Sequence, residues 1–326
     1  MMSDPRVCLI CCYMGPLPCY FPLWLYTCRY NPEVKFLLFG SHLPEKSPVE
    51  NVEFIPLTLD EFRRRASETV GFDVSLTHPR KICDFKPAYG DIFEEYVSGY
   101  DFWGHCDIDI IWGDMSFITE ESILEENDVV SARGDRFVSG ACTLFKNNEE
   151  MRGMYKKSPS WRKVYSEPEM VSFSEACRRP NFKKNIGNIK ELVDTGNLVS
   201  MTDVVFNEVK KGRARFYTPS LPNTMKELKT NTKYKFVMKW NRGEIKNKNG
   251  EEIMAFHLLF AKKDPFFRIP DFEELPTEFE IGKKGVMPNR ENILKFDLFR
   301  LLKGYIDWLN KYIIKKAESA YNKFLK

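Results

Sequence analysis

The stretch YDFWGHCDID, residues 100–109, begins with aromatic and apolar side chains and ends in two aspartates one residue apart. The Phe, Trp and Cys residues before the aspartates predict a buried β-strand. On extended backbone, side chains at positions i and i+2 point to the same side, so Asp107 and Asp109 leave the strand toward one point while Ile108 faces away. Two carboxylates this close repel each other unless a cation lies between them, and a divalent metal ion is the usual partner. The stretch therefore predicts a metal site.

Strands alternate with helices on both sides of this stretch, which indicates an α/β protein with a mostly parallel, helix-flanked sheet. Ligands of such sheets bind at the carboxyl ends of the strands, where the aspartate pair lies. A capping-box pattern at Thr58–Glu61 predicts the start of a helix that ends at Gly71. The predicted strands are Val7–Tyr13, Val34–Phe39, Val52–Leu57, Asp101–Cys106, Asp128–Ala132, Ala141–Phe145, Tyr234–Trp240 and Glu251–Phe260, and the predicted helices cover about 58–69, 87–97, 148–157 and 201–211.

Length and charge limit the architecture and the partners. The 326 residues suffice for one large domain or two modest ones, and we expect a catalytic domain over residues 1–265 and a C-terminal helical extension over 266–326. The apolar stripe of this extension packs on the protein itself or a second copy, or it rests on an anionic membrane surface as a peripheral contact. The net charge of +3 is too small to indicate nucleic acid as a partner.

The N-terminal segment and the cysteines indicate a cytoplasmic protein. The charge-free run Val7–Cys28 is long enough for a membrane span, but a glycine and three prolines interrupt it. The nine cysteines are an odd number, and Cys8-x-x-Cys11 lacks a second pair at zinc-site spacing. We therefore expect the cysteines to be reduced and to lie in the core. Because no secretion signal is visible, we expect a cytoplasmic protein, either free or bound to the inner face of the membrane.

Several classes of protein carry an Asp-x-Asp motif. An EF-hand loop needs an oxygen ligand at its fifth position and a glycine at its sixth, but here the fifth position is Ile111 and the glycine is Gly113. An aspartate-nucleophile phosphatase of the haloacid-dehalogenase type usually has Thr or Val at the position of Ile111 and a later acidic pair. That enzyme stays an alternative, and so does a non-catalytic carbohydrate-binding or scaffold protein with a vestigial site.

A set of stretches, in this order along the chain, carries a more specific signal than the aspartate pair alone. These stretches are YMGPLP (13–18), FPLWL (21–25), KICDFKPAYG (81–90), GYDFWG (99–104) running into the aspartates, and LFKNNE (144–149). In them the chain resembles GT-A-type nucleotide-sugar glycosyltransferases of bacterial capsule and surface-polysaccharide loci, over roughly residues 6–263. The likeness departs after Phe39, where Gly40-Ser41 stands in place of the expected Thr-Asp.

The resemblance implies a GT-A-like catalytic domain that transfers a sugar from a UDP- or GDP-linked donor. It implies that Mn²⁺ or Mg²⁺ is held by Asp107 and Asp109, with His257 as the third ligand. Such an ion would neutralise the charge that grows on the leaving nucleoside diphosphate. The implied acceptor is a surface-glycan or lipid-linked saccharide.

The donor-binding residues follow from their positions in this framework. A lysine-flanked helix start at Pro87 suits a diphosphate or a ribose hydroxyl, although Asp84 in the same place could simply cap the helix. The end of the first strand is where the base would stack. The predicted donor-binding residues are Tyr13, Gly15, Lys81, Asp84, Lys86 and Lys262.

An inverting transferase also needs a base for the acceptor hydroxyl. Glu175 and Asp203 are the acidic candidates downstream of the metal motif. Each has a plain alternative, because Glu175 could be a surface carboxylate and Asp203 could cap the helix predicted at 201–211. Both are retained as predicted catalytic residues.

Overall fold

A computed structural model of the chain describes residues 6–134, 137–179, 184–220, 224–227, 236–263, 267, 269, 276–282 and 285–288. Within them the strands are β1 (Val7–Tyr13), β2 (Val34–Gly40), β3 (Val52–Pro56), β4 (Phe102–Cys106), β5 (Ile110–Trp112), β6 (Val129–Ser131), β7 (Cys142–Lys146), β8 (Phe216–Tyr217), β9 (Lys226–Glu227), β10 (Phe236–Asn241), β11 (Glu244–Asn247), β12 (Glu252–Ile253), β13 (Ala255–His257), β14 (Glu278–Gly282) and β15 (Gly285–Pro288). The α-helices are α1 (Phe21–Cys28), α2 (Leu59–Val70), α3 (Tyr89–Ile92), α4 (Glu94–Val97), α5 (Ser116–Thr119), α6 (Glu121–Glu126), α7 (Glu149–Arg152), α8 (Trp161–Ser166), α9 (Ile189–Asp194) and α10 (Met201–Lys210). Short 3₁₀ helices cover Pro79–Ala88, Met154–Lys157 and Ala261–Lys263.

The central sheet has seven strands in the order β3-β2-β1-β4-β7-β6-β8. The first four run parallel, β7 is antiparallel to both β4 and β6, and β8 is parallel to β6. β1 and β4 are neighbours in the sheet although β2 and β3 lie between them in the chain. The strand order reverses at this pair, and ligands of α/β sheets commonly bind at such a point. The predicted α/β class with a mostly parallel sheet is confirmed.

Both faces of this sheet are covered, which explains why its strands are continuously apolar. Along β1, Leu9 and Cys11 are buried on the face that also holds Trp24 of α1. The alternate residue Ile10 is buried on the other face, together with Phe62 of α2. The strand ends are therefore the places where polar side chains can gather.

Two smaller sheets accompany the central one. β10 is central in a sheet with the order β12-β11-β10-β14-β15, and the tight β10–β11 turn has Arg242 and Gly243 at φ of 46° and 93°. Positive φ at both turn positions is typical of a type I′ hairpin. The third sheet, β5-β13-β9, begins directly after the aspartate pair.

The local predictions had mixed outcomes. The capping box at Thr58–Glu61 is present, and Gly71 ends α2 in the left-handed conformation. The helical region predicted at 87–97 is present and ends at Val97 as predicted, but it is not one helix: the 3₁₀ helix Pro79–Ala88 is followed by α3 and α4, which are separated at Phe93. Pro87 does not begin a helix, because it lies inside the 3₁₀ helix Pro79–Ala88, most of whose residues are buried.

The division of the chain after residue 265 stays a prediction. β14 and β15 lie beyond that point, and β14 pairs with β10. The amphipathic helices predicted for the C-terminal extension lie outside the described residues. Among the residues that are described, none belongs to a helix with the length and apolar character needed to cross a membrane.

Candidate active site

Two segments that are far apart in sequence meet beside the carboxyl end of β4. Asp107 and Asp109 follow β4, and the chain then enters β5. β13 pairs antiparallel with β5, which places His257 opposite Ile110. The N–H of Leu258 donates to the carbonyl oxygen of Asp109 at 2.8 Å. This strand pairing brings the histidine to the aspartate pair.

Asp107, Asp109 and His257 form a group that fits a divalent cation. Their candidate ligand atoms all lie within 4.8 Å of one another. Nε2 of His257 lies 3.3 Å from Oδ1 of Asp109 and 3.7 Å from Oδ2 of Asp107. This nitrogen is buried and makes no well-oriented hydrogen bond, which is rare for a buried polar atom and suits a bound cation. Carboxylates are ligands of Mn²⁺ and Mg²⁺, and histidine nitrogen is a common metal ligand.

The charges of His257 and Asp109 strongly affect each other's pKa. Burial by itself lowers the pKa of His257, but its contacts with Asp109 and Glu227 outweigh burial and raise the pKa to about 9. Burial raises the pKa of Asp109, yet His257 and Lys262 more than offset it and hold that pKa well below its usual range. Without a metal ion the imidazole is therefore protonated near neutral pH, and a cation that binds Nε2 releases that proton.

Each aspartate also contacts a lysine. The Lys86 ammonium lies 2.5 Å from Oδ1 of Asp107 and donates to the carbonyl oxygen of Gly140 at 2.6 Å. The Lys262 ammonium lies 2.5 Å from Oδ2 of Asp109. Burial opposes the charge on Lys86, but Asp107 outweighs burial and raises the pKa of Lys86. Lys86 is thus charged, and both lysines lie beside the candidate metal group.

Glu227 supports the histidine from the side away from the aspartates. β9 lies parallel to β13 with Glu227 in register with His257, and Nδ1 of the ring lies 3.3 Å from Oε1 of Glu227. Arg133 donates to the same oxygen at 3.2 Å. A carboxylate behind a metal-binding histidine orients the ring. The sequence analysis missed Glu227, because no local pattern links it to a histidine 30 residues later.

We expect Glu227→Gln to weaken Mn²⁺ binding about 10–100-fold, because the neutral amide holds the His257 ring less firmly. Calorimetric titration of the full chain with MnCl₂ measures this change. Glu244→Gln is the matched control, since Glu244 is an exposed glutamate that pairs with Lys246 in β11. Equal Mn²⁺ affinity in the Glu227→Gln protein and the wild type would show that Glu227 does not act on the metal group.

The residues predicted to contact the base lie at the end of β1. Burial raises the pKa of the Tyr13 hydroxyl, and Lys262 and Asp109 are close enough to act on it electrostatically. Gly15 has φ of 141°, a conformation that favours glycine, and the space beside it is open. At Gly40, a Cβ atom would lie 2.6 Å from the Tyr13 carbonyl oxygen. This close approach requires glycine at position 40, where the sequence departs from the family it resembles.

Lys81 lies in the protein interior. Its ammonium donates to Oδ2 of Asp84 at 2.9 Å and to the carbonyl oxygens of Val164 and Glu169, each at 2.7 Å. An ammonium has three protons, and here all three have protein acceptors. Lys81 therefore has no donor left for a phosphate group.

Asp84 is equally committed to protein partners. Its side chain is fully buried and accepts hydrogen bonds from the N–H of Val171 at 2.9 Å and of Phe173 at 2.8 Å. The predicted donor-binding role of Lys81 and Asp84 is therefore replaced by a supporting one. Together they hold the segment that leads to Glu175, and only Lys86 of the 3₁₀ helix reaches the aspartate pair.

Asp203 caps α10. Its carboxylate accepts from the backbone N–H of Ser200 at 3.0 Å, which completes the capping box at the helix start, and from the hydroxyl of Ser200 at 2.6 Å. It also accepts two hydrogen bonds from Arg179, at 2.8 and 2.9 Å. The side chain is fully buried, so these contacts match the structural alternative considered for Asp203 rather than the role of a base.

Glu175 is connected through the backbone of Gly140 to Lys86, the lysine that contacts Asp107. Its Oε1 accepts from the N–H of Gly140 at 3.1 Å, while the carbonyl oxygen of Gly140 accepts from Lys86. Burial raises the pKa of Glu175, Lys86 lowers it, and Asp107 raises it further, with a net increase. A carboxylate with a raised pKa is better suited to proton transfer at neutral pH.

The backbone around Glu175 is strained. Ser172, Cys177 and Arg178 have φ values of 62°, 52° and 52°, in the left-handed region that non-glycine residues rarely adopt. Each such residue costs on the order of 1–3 kcal/mol, and strained residues of this kind cluster at functional sites. The turn therefore has a conformation that positions Glu175 at the expense of local stability.

Comparison with solved structures finds glycosyltransferases at low similarity. The galactosyltransferase LgtC in complex with donor and acceptor sugar analogs is 11% identical, with a TM-score of 0.31, over 64% of this chain and 72% of that one. Mouse xyloside xylosyltransferase 1 is 10% identical, with a TM-score of 0.37, over 70% and 89%. The glycosyltransferase GlyE of Streptococcus pneumoniae TIGR4 is 14% identical, with a TM-score of 0.28, over 66% and 45%, so the match spans less than half of that protein. These scores are too low to carry a functional argument.

A search among curated proteins finds no match to this chain. At the level of families, residues 9–289 match a family described as "Family of unknown function (DUF6625)". The matched span includes β4, the aspartate pair, Glu227 and β13. Because the match covers most of the chain, this protein belongs to that family of unknown function.

Proposed function

We propose that this protein is a divalent-metal-dependent glycosyltransferase that moves a sugar from a nucleoside-diphosphate donor to a saccharide acceptor. One observation carries the proposal: the candidate ligand atoms of Asp107, Asp109 and His257 converge on one point, with Lys86 and Lys262 beside them. A dication with neighbouring ammonium groups suits a diphosphate leaving group better than a neutral ligand.

The proposed roles of these residues follow from their burial and their contacts. Asp107, Asp109 and His257 would hold Mn²⁺ or Mg²⁺, which supplies Lewis-acid neutralisation of the departing diphosphate when bound. Lys86 is nearly buried and fixed by Gly140, so it orients Asp107. Lys262 is about one-third exposed, with 32% of its side chain accessible, and can donate to a phosphate oxygen.

Tyr13 and Gly15 are proposed to line the position of the donor's base, which would be uracil or guanine. The Lys262 ammonium, which lies on the aspartate side of this position, is 5.8 Å from the centre of the Tyr20 ring. An aromatic wall next to a cation suits a base joined to a phosphate chain. The open space beside Gly15 leaves room for that chain.

Glu175 is the proposed base for the acceptor hydroxyl. Of the two predicted catalytic carboxylates, only Glu175 has spare acceptor capacity, because Asp203 is taken by Arg179 and Ser200. Its link through Gly140 to Lys86, which contacts Asp107, supports this assignment. The acceptor is proposed to be a surface-glycan or lipid-linked saccharide reached from the cytoplasm, with the C-terminal extension as a peripheral membrane or dimer contact.

The test is a donor screen that needs no knowledge of the acceptor. The full chain is incubated with UDP- and GDP-linked sugars, with MnCl₂, MgCl₂ or EDTA, and release of UDP or GDP is measured. We expect slow metal-dependent release from one donor class, faster with added oligosaccharides. Hydrolysis of phosphate esters through a trapped phospho-aspartate would establish the phosphatase alternative, whereas absence of binding to Mn²⁺ and to any nucleoside diphosphate would favour a non-catalytic protein.

A further inference from the structure

The carboxylates of the candidate metal group already have positively charged partners. Lys86 pairs with Asp107 and Lys262 pairs with Asp109, each with 2.5 Å between nitrogen and oxygen. Two ammonium groups balance the charge of two carboxylates, so a dication that enters this group must compete with them. Close ion pairs of this kind strongly oppose a third charge where the surroundings exclude water.

The two lysines differ in their freedom to move. The Lys86 side chain is only 6% exposed and has a second acceptor in the carbonyl oxygen of Gly140. Lys262 lies on the short 3₁₀ helix Ala261–Lys263, and Asp109 is the hydrogen-bond partner found for its ammonium within the described part of the chain. A lysine has a flexible four-carbon stem, so Lys262 can move its charge by several ångströms at low cost, whereas Lys86 cannot.

We propose that Lys262 is a displaceable counter-ion, which neutralises Asp109 while the site is empty and moves to the donor diphosphate when a metal ion takes its place. This inference rests on the proposed function. It has a thermodynamic consequence, because the metal ion alone must expel the ammonium without a new partner for it. A diphosphate offers that partner, so metal and nucleotide bind cooperatively, and each raises the affinity for the other by the same factor.

Lys262 thus ties metal affinity to the presence of the nucleotide. In the wild type we expect Mn²⁺ alone to bind weakly, and to bind on the order of tenfold or more tightly when UDP or GDP saturates the protein. Removing the ammonium leaves His257 as the remaining positively charged partner of Asp109. Mn²⁺ alone then has one fewer positive charge to displace from this carboxylate, so it should bind more tightly. The nucleotide loses a phosphate partner in the same variant, and the cooperativity should fall toward none.

The experiment is calorimetric titration of MnCl₂ into the full chain, with and without UDP or GDP, for Lys262→Met and Lys262→Arg. Methionine keeps the stem without the charge, and we expect it to increase the affinity for Mn²⁺ alone about tenfold. Arginine keeps the charge and should preserve weak binding. Lys263→Met is the matched control, because that neighbouring lysine lies 5.5 Å from the centre of the Phe260 ring and does not pair with Asp109. Circular dichroism shows whether each variant is folded.

The outcomes separate this inference from the proposed function. Unchanged or weaker binding of Mn²⁺ alone in folded Lys262→Met, with nucleotide binding intact in the wild type, overturns the counter-ion role and leaves the glycosyltransferase proposal standing. A lack of Mn²⁺ binding in the wild type and in every variant overturns both. Tighter Mn²⁺ binding with lost cooperativity in Lys262→Met alone supports the counter-ion role.

Discussion

Asp109→Asn is expected to abolish Mn²⁺ binding and to lower metal-dependent donor turnover by at least about 10²–10³-fold, the range typical for the loss of one key electrostatic group. The asparagine has nearly the same shape, so the change removes charge rather than volume. Asp109 is almost fully buried, contacts Lys262, and lies 3.3 Å from Nε2 of His257. The measurements are calorimetry with MnCl₂ and release of UDP or GDP from the donor identified in the screen.

Two further variants sharpen this prediction. Asp101→Asn removes a carboxylate just before β4 that is exposed and paired with Arg6, so it should leave both Mn²⁺ affinity and turnover unchanged. Glu175→Gln should keep Mn²⁺ affinity and lower transfer to the acceptor by about 10²–10⁴-fold, as expected for the loss of a base. Full activity of Asp109→Asn in the presence of EDTA would contradict the metal role. Unaltered transfer by Glu175→Gln would remove that residue from the mechanism.

Lys81→Met is expected to reduce the free energy of unfolding by about 3–5 kcal/mol, because it leaves a buried carboxylate without its charged partner. Lys81 and Asp84 are both fully inaccessible to solvent. The change also frees the carbonyl oxygens of Val164 and Glu169, which now accept from Lys81. Urea unfolding followed by circular dichroism measures the loss.

The control for this change is a surface ion pair of similar spacing. Arg64 and Glu68 pair on the exposed face of α2, and Arg64→Met should cost no more than about 0.5 kcal/mol, as for other exposed helix pairs. If Lys81→Met instead kept its stability to within about 1 kcal/mol while UDP or GDP binding was lost, the supporting role would be wrong and the original prediction of a donor contact right.

Short-range patterns in the sequence determined the features that depend on neighbouring residues. The apolar and aromatic residues ahead of the aspartates are sufficient to predict β4, which depends only on neighbouring residues. Asp107 and Asp109 themselves lie in the short connection between β4 and β5, and this connection rather than extended backbone brings their carboxylates together. The capping box of α2 is equally local. The α/β class follows from the order of such elements along the chain.

The placement of the lysines shows where local reasoning fails. Lys81 and Lys86 belong to one 3₁₀ helix and have the same chemistry, yet one ammonium is taken up by the interior and the other reaches Asp107. Nothing in a five-residue interval distinguishes a buried structural cation from a functional one. The difference lies in the partners that distant segments supply, such as Val164 for the first lysine and Gly140 for the second.

Residues close together in the chain are enough to specify the α/β class, the strand β4 and the aspartate pair at its end. Tertiary folding puts Glu227 behind His257 and pairs Asp203 with Arg179. It also decided that Glu175 lies beside Gly140. These contacts join residues far apart in sequence, and their energies depend on which groups become buried together, which no local pattern specifies.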